Sequence, residues 1–295
     1  MNKNFDATRD IADYTCLRTR SAITVDGKLD EIAWRKAERS PRFVDVIGGT
    51  PALYDSRCAL LWDDAALYVA FWCEEPFVEA HLTKRDSLIC VENDVEVFID
   101  GGDTYYELQI NALNTVYEVF YIWKDAYKKG GRFDVPEFDV VDQDAWVFAG
   151  NDDEYSCNSF WRGEHPRGNR WTFFNWDFSG LRTAVSVQGN INDSSKVDTG
   201  WTIELAFPWE GMKWLSGGKP LPPKDGDVWS LFLCRYQKLH MNGAELHTGW
   251  AWNKIGSPDN HRPERFTRIH FSGDHVEDRP ASEPSALSSV PFGAR

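Results

Sequence analysis

The sequence has no stretch of about 18 apolar residues, so no segment reads as a membrane-spanning helix. Its first residues, MNKNFDATRDIADYTC, lack the apolar core of a secretory leader. The chain as written is therefore expected to stay in the cytoplasm, unless a leader was removed from it. Basic charge is scarce as well: 32 Lys and Arg stand against 46 Asp and Glu, for a net charge of −14. No stretch gathers the basic footprint that nucleic acid or an acidic lipid surface requires, and neither is expected as a partner. The six cysteines form no CxxC pair, and the seven histidines form no HExxH or Cys/His zinc spacing; buried reduced thiols are the expectation. Long helical periodicity, βαβ alternation and internal repeats are also missing.

Aromatic residues are abundant. Fourteen Trp outnumber ten Tyr, and an indole serves either as core filler or as a platform for the apolar face of a sugar ring. With 42% hydrophobic and 26% charged residues in a chain of 295, a sizeable core can form. Residues 1–20 read as an N-terminal extension. From ITVDGKLDEIAW onward short strands dominate: SRCALLWDD and ALYVAFWCEE form a hairpin pattern, and LRTAVSVQGNIN, GWTIELAFPW, DVWSLFLCRYQ and RFTRIHF continue it. ITVDGKLDEIAW suggests a short strand, a turn at Asp26-Gly27 and one helical turn, and PWEGMKWL a short helix opened by Pro208. Many short strands with few helices predict one antiparallel β-sandwich over 21–272. A loop-rich insertion lies at about 124–180, and a polar tail runs over 273–295.

The stretch NDVEVFIDGGDTYYELQINALNTVYEVFY, residues 93–121, reads as three strands joined by two turns. Four-residue turns DGGD and ALNT would pair Ile99 with Thr104, Glu96 with Glu107, and Gln109 with Glu118. One face then holds Val95, Val97, Ile99, Tyr106, Leu108, Ile110, Tyr117, Val119 and Tyr121, an apolar layer for the core. The other holds Asp94, Glu96, Phe98, Tyr105, Glu107, Gln109, Asn111, Val116, Glu118 and Phe120. A solvated face of an antiparallel sheet is ordinarily polar. Carboxylates directly opposite each other are unfavourable on a plain surface, whereas amides and carboxylates beside aromatic rings suit a polyhydroxyl ligand.

The succession ITVDGKLDEIAW, ALYVAFWCEE, ENDVEVFID with YYELQINALNTVYEVFY, GWTIELAFPW and the late W…PDNHRPERF resembles the family 9 carbohydrate-binding modules and their relatives among the DOMON-like β-sandwiches. The resemblance spans about residues 21–272. It implies an antiparallel sandwich that binds the end of a glycan without catalysis, between Trp side chains, with calcium in structural roles. Carried over residue by residue, it points to Gln109 and Asn111 on the central strand. Arg85, Asp86 and Glu92 come from the preceding loop, Arg235 or Gln237 from CRYQK, and Trp250 or Trp252 from GWAWNK. The family's aromatic in that loop has no counterpart between Thr83 and Asp94, so Trp72 or Trp123 would have to replace it.

The resulting expected ligand set is Arg85, Glu92, Glu96, Glu107, Gln109, Asn111, Arg235, Trp250 and Trp252. Acidic turns at Asp100 and Asp103, and at Asp26, Asp30 and Glu31, offer oxygen ligands of the kind calcium takes. Two other functions stay open. Glu96 and Glu107 could act as paired acid and base on a glycosidic bond, and the aromatic-rich insertion FWRGEHPRGNRW could dock a protein partner.

Overall fold

A computed structural model of the chain describes residues 11–148, 165–241 and 243–280. In chain order the elements are β1 (Asp13–Arg18), α1 (Ile32–Lys36), β2 (Val44–Asp45), β3 (Ser56–Trp62), β4 (Ala66–Glu74), β5 (Asp94–Asp100), β6 (Thr104–Ile110) and β7 (Val116–Trp123). There follow β8 (Trp146–Phe148), β9 (Arg170–Phe173), β10 (Arg182–Gln188), β11 (Gly200–Pro208), β12 (Val228–Met241), β13 (Ala244–Ala251) and β14 (Thr267–His275).

Hydrogen bonding links the strands in the order β10-β11-β4-β3-β1-β14-β12-β5-β6-β7-β9-β8, with β13 beside the second half of β12. Folding of this ribbon on itself makes a sandwich of two layers, β10-β11-β4-β3 and β14-β12-β5-β6-β7-β9-β8, with β1 at the seam. Side chains cross between the layers: the Tyr106 and Phe207 rings lie 6.2 Å apart, and Arg235 of β12 donates to Ser56 Oγ of β3 at 2.8 Å. Pairing is antiparallel except at β1, which runs parallel to both β14 and β3. The segment expected as an extension thus supplies a strand of the sheet. The expected insertion likewise joins it, through β8 and β9 beside β7. Of FWRGEHPRGNRW, residues 160–164 lie outside the described residues, and 165–171 lead into β9.

Each face of β5–β7 is buried, and two turns set which residues share a face. Gly101 N donates to Thr104 O at 2.8 Å, closing a two-residue turn with Gly102 at φ +80°. Positive φ at that first turn position is what a tight hairpin requires and what glycine supplies. The β5/β6 register therefore pairs Glu96 with Gln109 and Phe98 with Glu107, two residues from the expected pairing, so the faces are kept and Glu96 sits diagonal to Glu107. At the next turn Asn114 adopts φ +61° and Asn111 N donates to Thr115 O at 3.2 Å, which leaves a three-residue loop. Gln109 then pairs with Tyr117 and Leu108 with Glu118. A one-residue difference exchanges the faces of the whole strand. The expected placement of β7 is therefore corrected: Tyr117, Val119 and Tyr121 join Glu107 and Gln109, while Val116, Glu118 and Phe120 face the other layer.

A second constraint on close packing lies at Gly200, where φ is +141° and a Cβ would stand 2.0 Å from the Cys73 carbonyl oxygen. Gly200→Ala is expected to lower stability by about 1–3 kcal/mol, read as a lower urea midpoint with an unchanged slope. A midpoint within error of wild type would mean that β4 and β11 can part there without cost.

Candidate functional site

The outer face of β5–β6–β7 forms the floor of a cavity of about 270 Å³. Glu96, Glu107 and Gln109 rise from the floor, with Tyr117 beside them; Phe148, Tyr236, His247 and Cys90 form walls, and Pro258 to His261 closes the top. The floor is acidic because the period of two puts every second residue of β5 and β6 on this face. On the same face the Tyr105 and Tyr121 rings stack at 4.3 Å, against the His261 ring.

The floor groups are held by directed bonds. Asn260 Nδ2 donates to Glu96 Oε2 at 2.8 Å, and the Cys234 thiol donates to the same oxygen at 3.1 Å. Gln109 Nε2 donates to Glu107 Oε1 at 2.7 Å, and Tyr121 OH to Glu107 Oε2 at 2.6 Å. Burial pushes the Glu96 carboxyl up to about 8, helped by the charge of Glu107. Burial likewise raises Glu107 to about 7, against the bonds from Tyr121 and Gln109. Asp94, the next residue of β5 on this face, is raised well above the carboxylate range by burial and by Glu96. His261 stands 3.9 Å from Glu107, but burial and the charge of Arg170 hold its pKa well below the usual value, so its ring is neutral.

Of the nine expected ligand residues, the cavity brings together Glu96, Glu107 and Gln109. Asn111 and Glu92 instead lock a loop: Asn111 Nδ2 donates to Leu82 O and Glu92 Oε2, and Asn111 Oδ1 accepts from Leu113 N and Thr115 N. Glu92 also accepts from the backbone of His81 and Leu82. Arg85 lies on the other side of the meander, paired with Glu118 and with Asp177 at 2.6 Å. Arg235 pairs with Val95 along β12, so its side chain points between the layers, away from Glu96. Trp250 shares that inner face with Arg235, whose guanidinium carbon is 5.6 Å from its ring. Trp252 packs 5.7 Å from Tyr14. The rings that reach the cavity are Tyr117, Tyr236 and Phe148.

Sequence reasoning missed these rings together with Asn260, His261, Asp259, His247 and Cys90. The signal for the roof was the PDNHRP segment, whose polar residues sit between two prolines. The calcium expectation at Asp100 and Asp103 does not fit the groups present. Asp100 Oδ1 caps Gly102 N, and Asp103 is paired with Arg167 at 2.5 Å, a guanidinium that opposes a second cation. Among the described residues no cluster of three or more His, Cys, Asp or Glu is arranged to hold a metal ion.

A second groove of about 430 Å³ runs along Phe77, Glu79, His81, Asn192 to Ser194 and His240. Its Glu79 carboxylate lies 3.1 Å from His81 and 3.6 Å from His240, both of them largely exposed.

No family model and no curated protein matches the chain. Among solved structures, a candidate carbohydrate-binding protein from Bacteroides uniformis superposes with a TM-score of 0.55 at 13% identity, over 89% of this chain and all of that one. A family 9 carbohydrate-binding module from Caldicellulosiruptor kristjanssonii gives 0.46 in complex with cellotriose and 0.44 in complex with glucose. Both of these are at 13% identity, over 92% of this chain and all of theirs. The first likeness shows a shared fold, a β-sandwich.

Proposed function

We propose that the chain binds a carbohydrate, without catalysis, in the cavity on the outer face of β5–β7. The observation that carries this reading is the floor itself: carboxyl and amide groups, held in place by their own hydrogen bonds, lie beside three aromatic rings. Sugar hydroxyls both donate and accept, so Glu96, Glu107, Gln109 and Asn260 can each answer one, while Tyr117, Tyr236 or Phe148 covers the apolar face of the ring. A volume of about 270 Å³ falls just under the usual range for ligand pockets, about 300–1,000 Å³. It suits a terminal unit of one or two rings rather than the middle of a chain. The fold shared with a candidate carbohydrate-binding protein supports the same reading.

Calorimetric titration with glucose, cellobiose and cellotriose tests it. Gln109→Ala is expected to weaken binding by roughly two- to tenfold, the loss of one neutral hydrogen bond. Tyr236→Ala is expected to weaken it more, because packing and ring contact go together. Phe77→Ala, in the other groove, serves as the control. Binding that survives Gln109→Ala and Tyr236→Ala in folded protein but disappears in Phe77→Ala would move the site to that groove. Release of glucose from cellotriose on long incubation would replace binding by hydrolysis.

A further inference from the structure

Four carboxylates lie in or against the cavity: Asp94, Glu96, Glu107 and Asp259, each less than a tenth exposed. Among the described residues none of them is paired with a lysine or arginine. Arg235 is committed to Glu75 between the layers, and Arg85 to Glu118 and Asp177. Lys238, farther along β12, is paired with Glu245. Arg235 still acts on Asp94 through its charge, and a further buried guanidinium is that of Arg170. It lies behind His261, 4.4 Å from the Trp123 ring and 5.3 Å from Phe148, and donates to the His261 carbonyl. His261 is neutral, and burial lowers His247 too; burial keeps Cys90, Cys234, Tyr117, Tyr121 and Tyr236 protonated.

Gln109 Oε1, Asp94 Oδ2 and Asp259 Oδ2 are buried with no hydrogen-bond partner; Arg170 Nε and Nη1, behind His261, are unsatisfied donors. Buried acceptors without donors are costly, and a cluster of buried carboxylates is stabilised most by a cation. The walls are the faces of Tyr117, Tyr236 and Phe148, and aromatic faces attract a cation as well.

We infer that the cavity selects a sugar bearing a protonated amine over its neutral and N-acetylated counterparts, with the ammonium seated between Glu96, Glu107 and the free acceptor of Gln109. This rests on the carbohydrate reading above and names the sugar class. With Glu96 held at about 8 and Glu107 at about 7, the empty cavity keeps protons near neutral pH. An entering ammonium favours the carboxylate form, so protons leave to solvent as the ligand binds. A neutral sugar releases none.

The test is titration of the full chain at about pH 7 with the glucosamine disaccharide, its N,N′-diacetyl form, cellobiose and cyclohexylamine. It is run in two buffers of different ionisation enthalpy. The amino disaccharide is expected to bind at least about tenfold tighter than cellobiose or the acetylated form, the increment of one charge-assisted hydrogen bond. Its heat should depend on the buffer in the direction of proton release. Glu96→Gln and Glu107→Gln should each cut the amino-over-neutral ratio about tenfold; if either fails to fold, the wild-type proton release decides. Equal affinity for amino and neutral disaccharides, or binding with no proton release, overturns the inference and leaves sugar binding standing. Cyclohexylamine binding as tightly as the amino disaccharide, with no neutral sugar bound, keeps the ammonium seat and removes the sugar. Silence with all four overturns both.

Discussion

Arg235→Met is expected to destabilise the chain by about 3–5 kcal/mol, the usual cost of leaving a buried charge without its partner. The guanidinium is fully buried and lies 2.9 Å from Glu75, itself 1% exposed. It also donates to Ser56 Oγ and Glu74 O, both at 2.8 Å, and to Gln237. Glu75 in turn accepts from Trp201 Nε1 and Asn93 Nδ2, each at 2.7 Å. The single substitution strands Glu75 between the layers, where no other lysine or arginine among the described residues reaches it. Urea unfolding measures the loss, and Arg235→Met combined with Glu75→Leu should recover part of it, because neither charge then remains. A single-variant loss below about 1 kcal/mol would mean that water reaches Glu75 and that the layers are less tightly closed than their side chains indicate.

Stability is also expected to fall as pH rises from about 5 to about 8.5, the loss at the raised carboxyls outweighing the gain below about 6.5 from His261 and His247, whose lowered values act the other way. Glu96 and Glu107 have folded-state values of about 8 and about 7, raised from 4.5 first by burial; Asp94 is raised as well. An unfolded carboxyl loses its proton near 4.5, while the folded one keeps it up to 7 or 8. The stabilisation is therefore full below the unfolded value and drains away as pH climbs through the folded ones. Each pKa unit corresponds to ~1.4 kcal/mol, so the loss across this window is on the order of several kcal/mol. Urea midpoints at intervals through the window record it, and Glu107→Gln should flatten the curve. A midpoint that stays level or rises toward pH 8.5 would mean that these carboxyls are ionised in the folded chain.

The two turns of the meander show where sequence was informative and where it stopped. Hydrophobic alternation alone identifies β5, β6 and β7 and puts Glu96, Glu107 and Gln109 on one face, because a shift of two residues leaves faces unchanged. It cannot tell that Asn114 takes positive φ and shortens ALNT by one residue, and that single residue sends Glu118 inward and Tyr121 outward. Arg235 was hidden for a related reason: CRYQ alternates correctly, but which of Cys234 and Arg235 faces the cavity depends on the register with β5, 140 positions earlier in the chain than Arg235. The roof was hidden differently. Asn260 and His261 lie in a segment without periodicity, and only long-range closure onto β5 and β6 brings them over the floor.

The parallel strand at the seam governs the order of assembly. Asp13 of β1 bonds Arg268 and the backbone of β1 pairs with β14, partners 255 residues apart in the chain. While the protein is being synthesised, β1 can meet only β3, through the short pairing of Leu17 and Arg18 with Leu61 and Trp62. The edge of β12 that β14 later covers, at Val228 to Leu231, stays open until the last strand has emerged. Contacts of such separation close slowly, so β1 lacks its β14 partner for most of the synthesis, and the β12 edge stays open until β14 follows it. That interval is when chaperone capture or edge-to-edge association competes with closure of the seam.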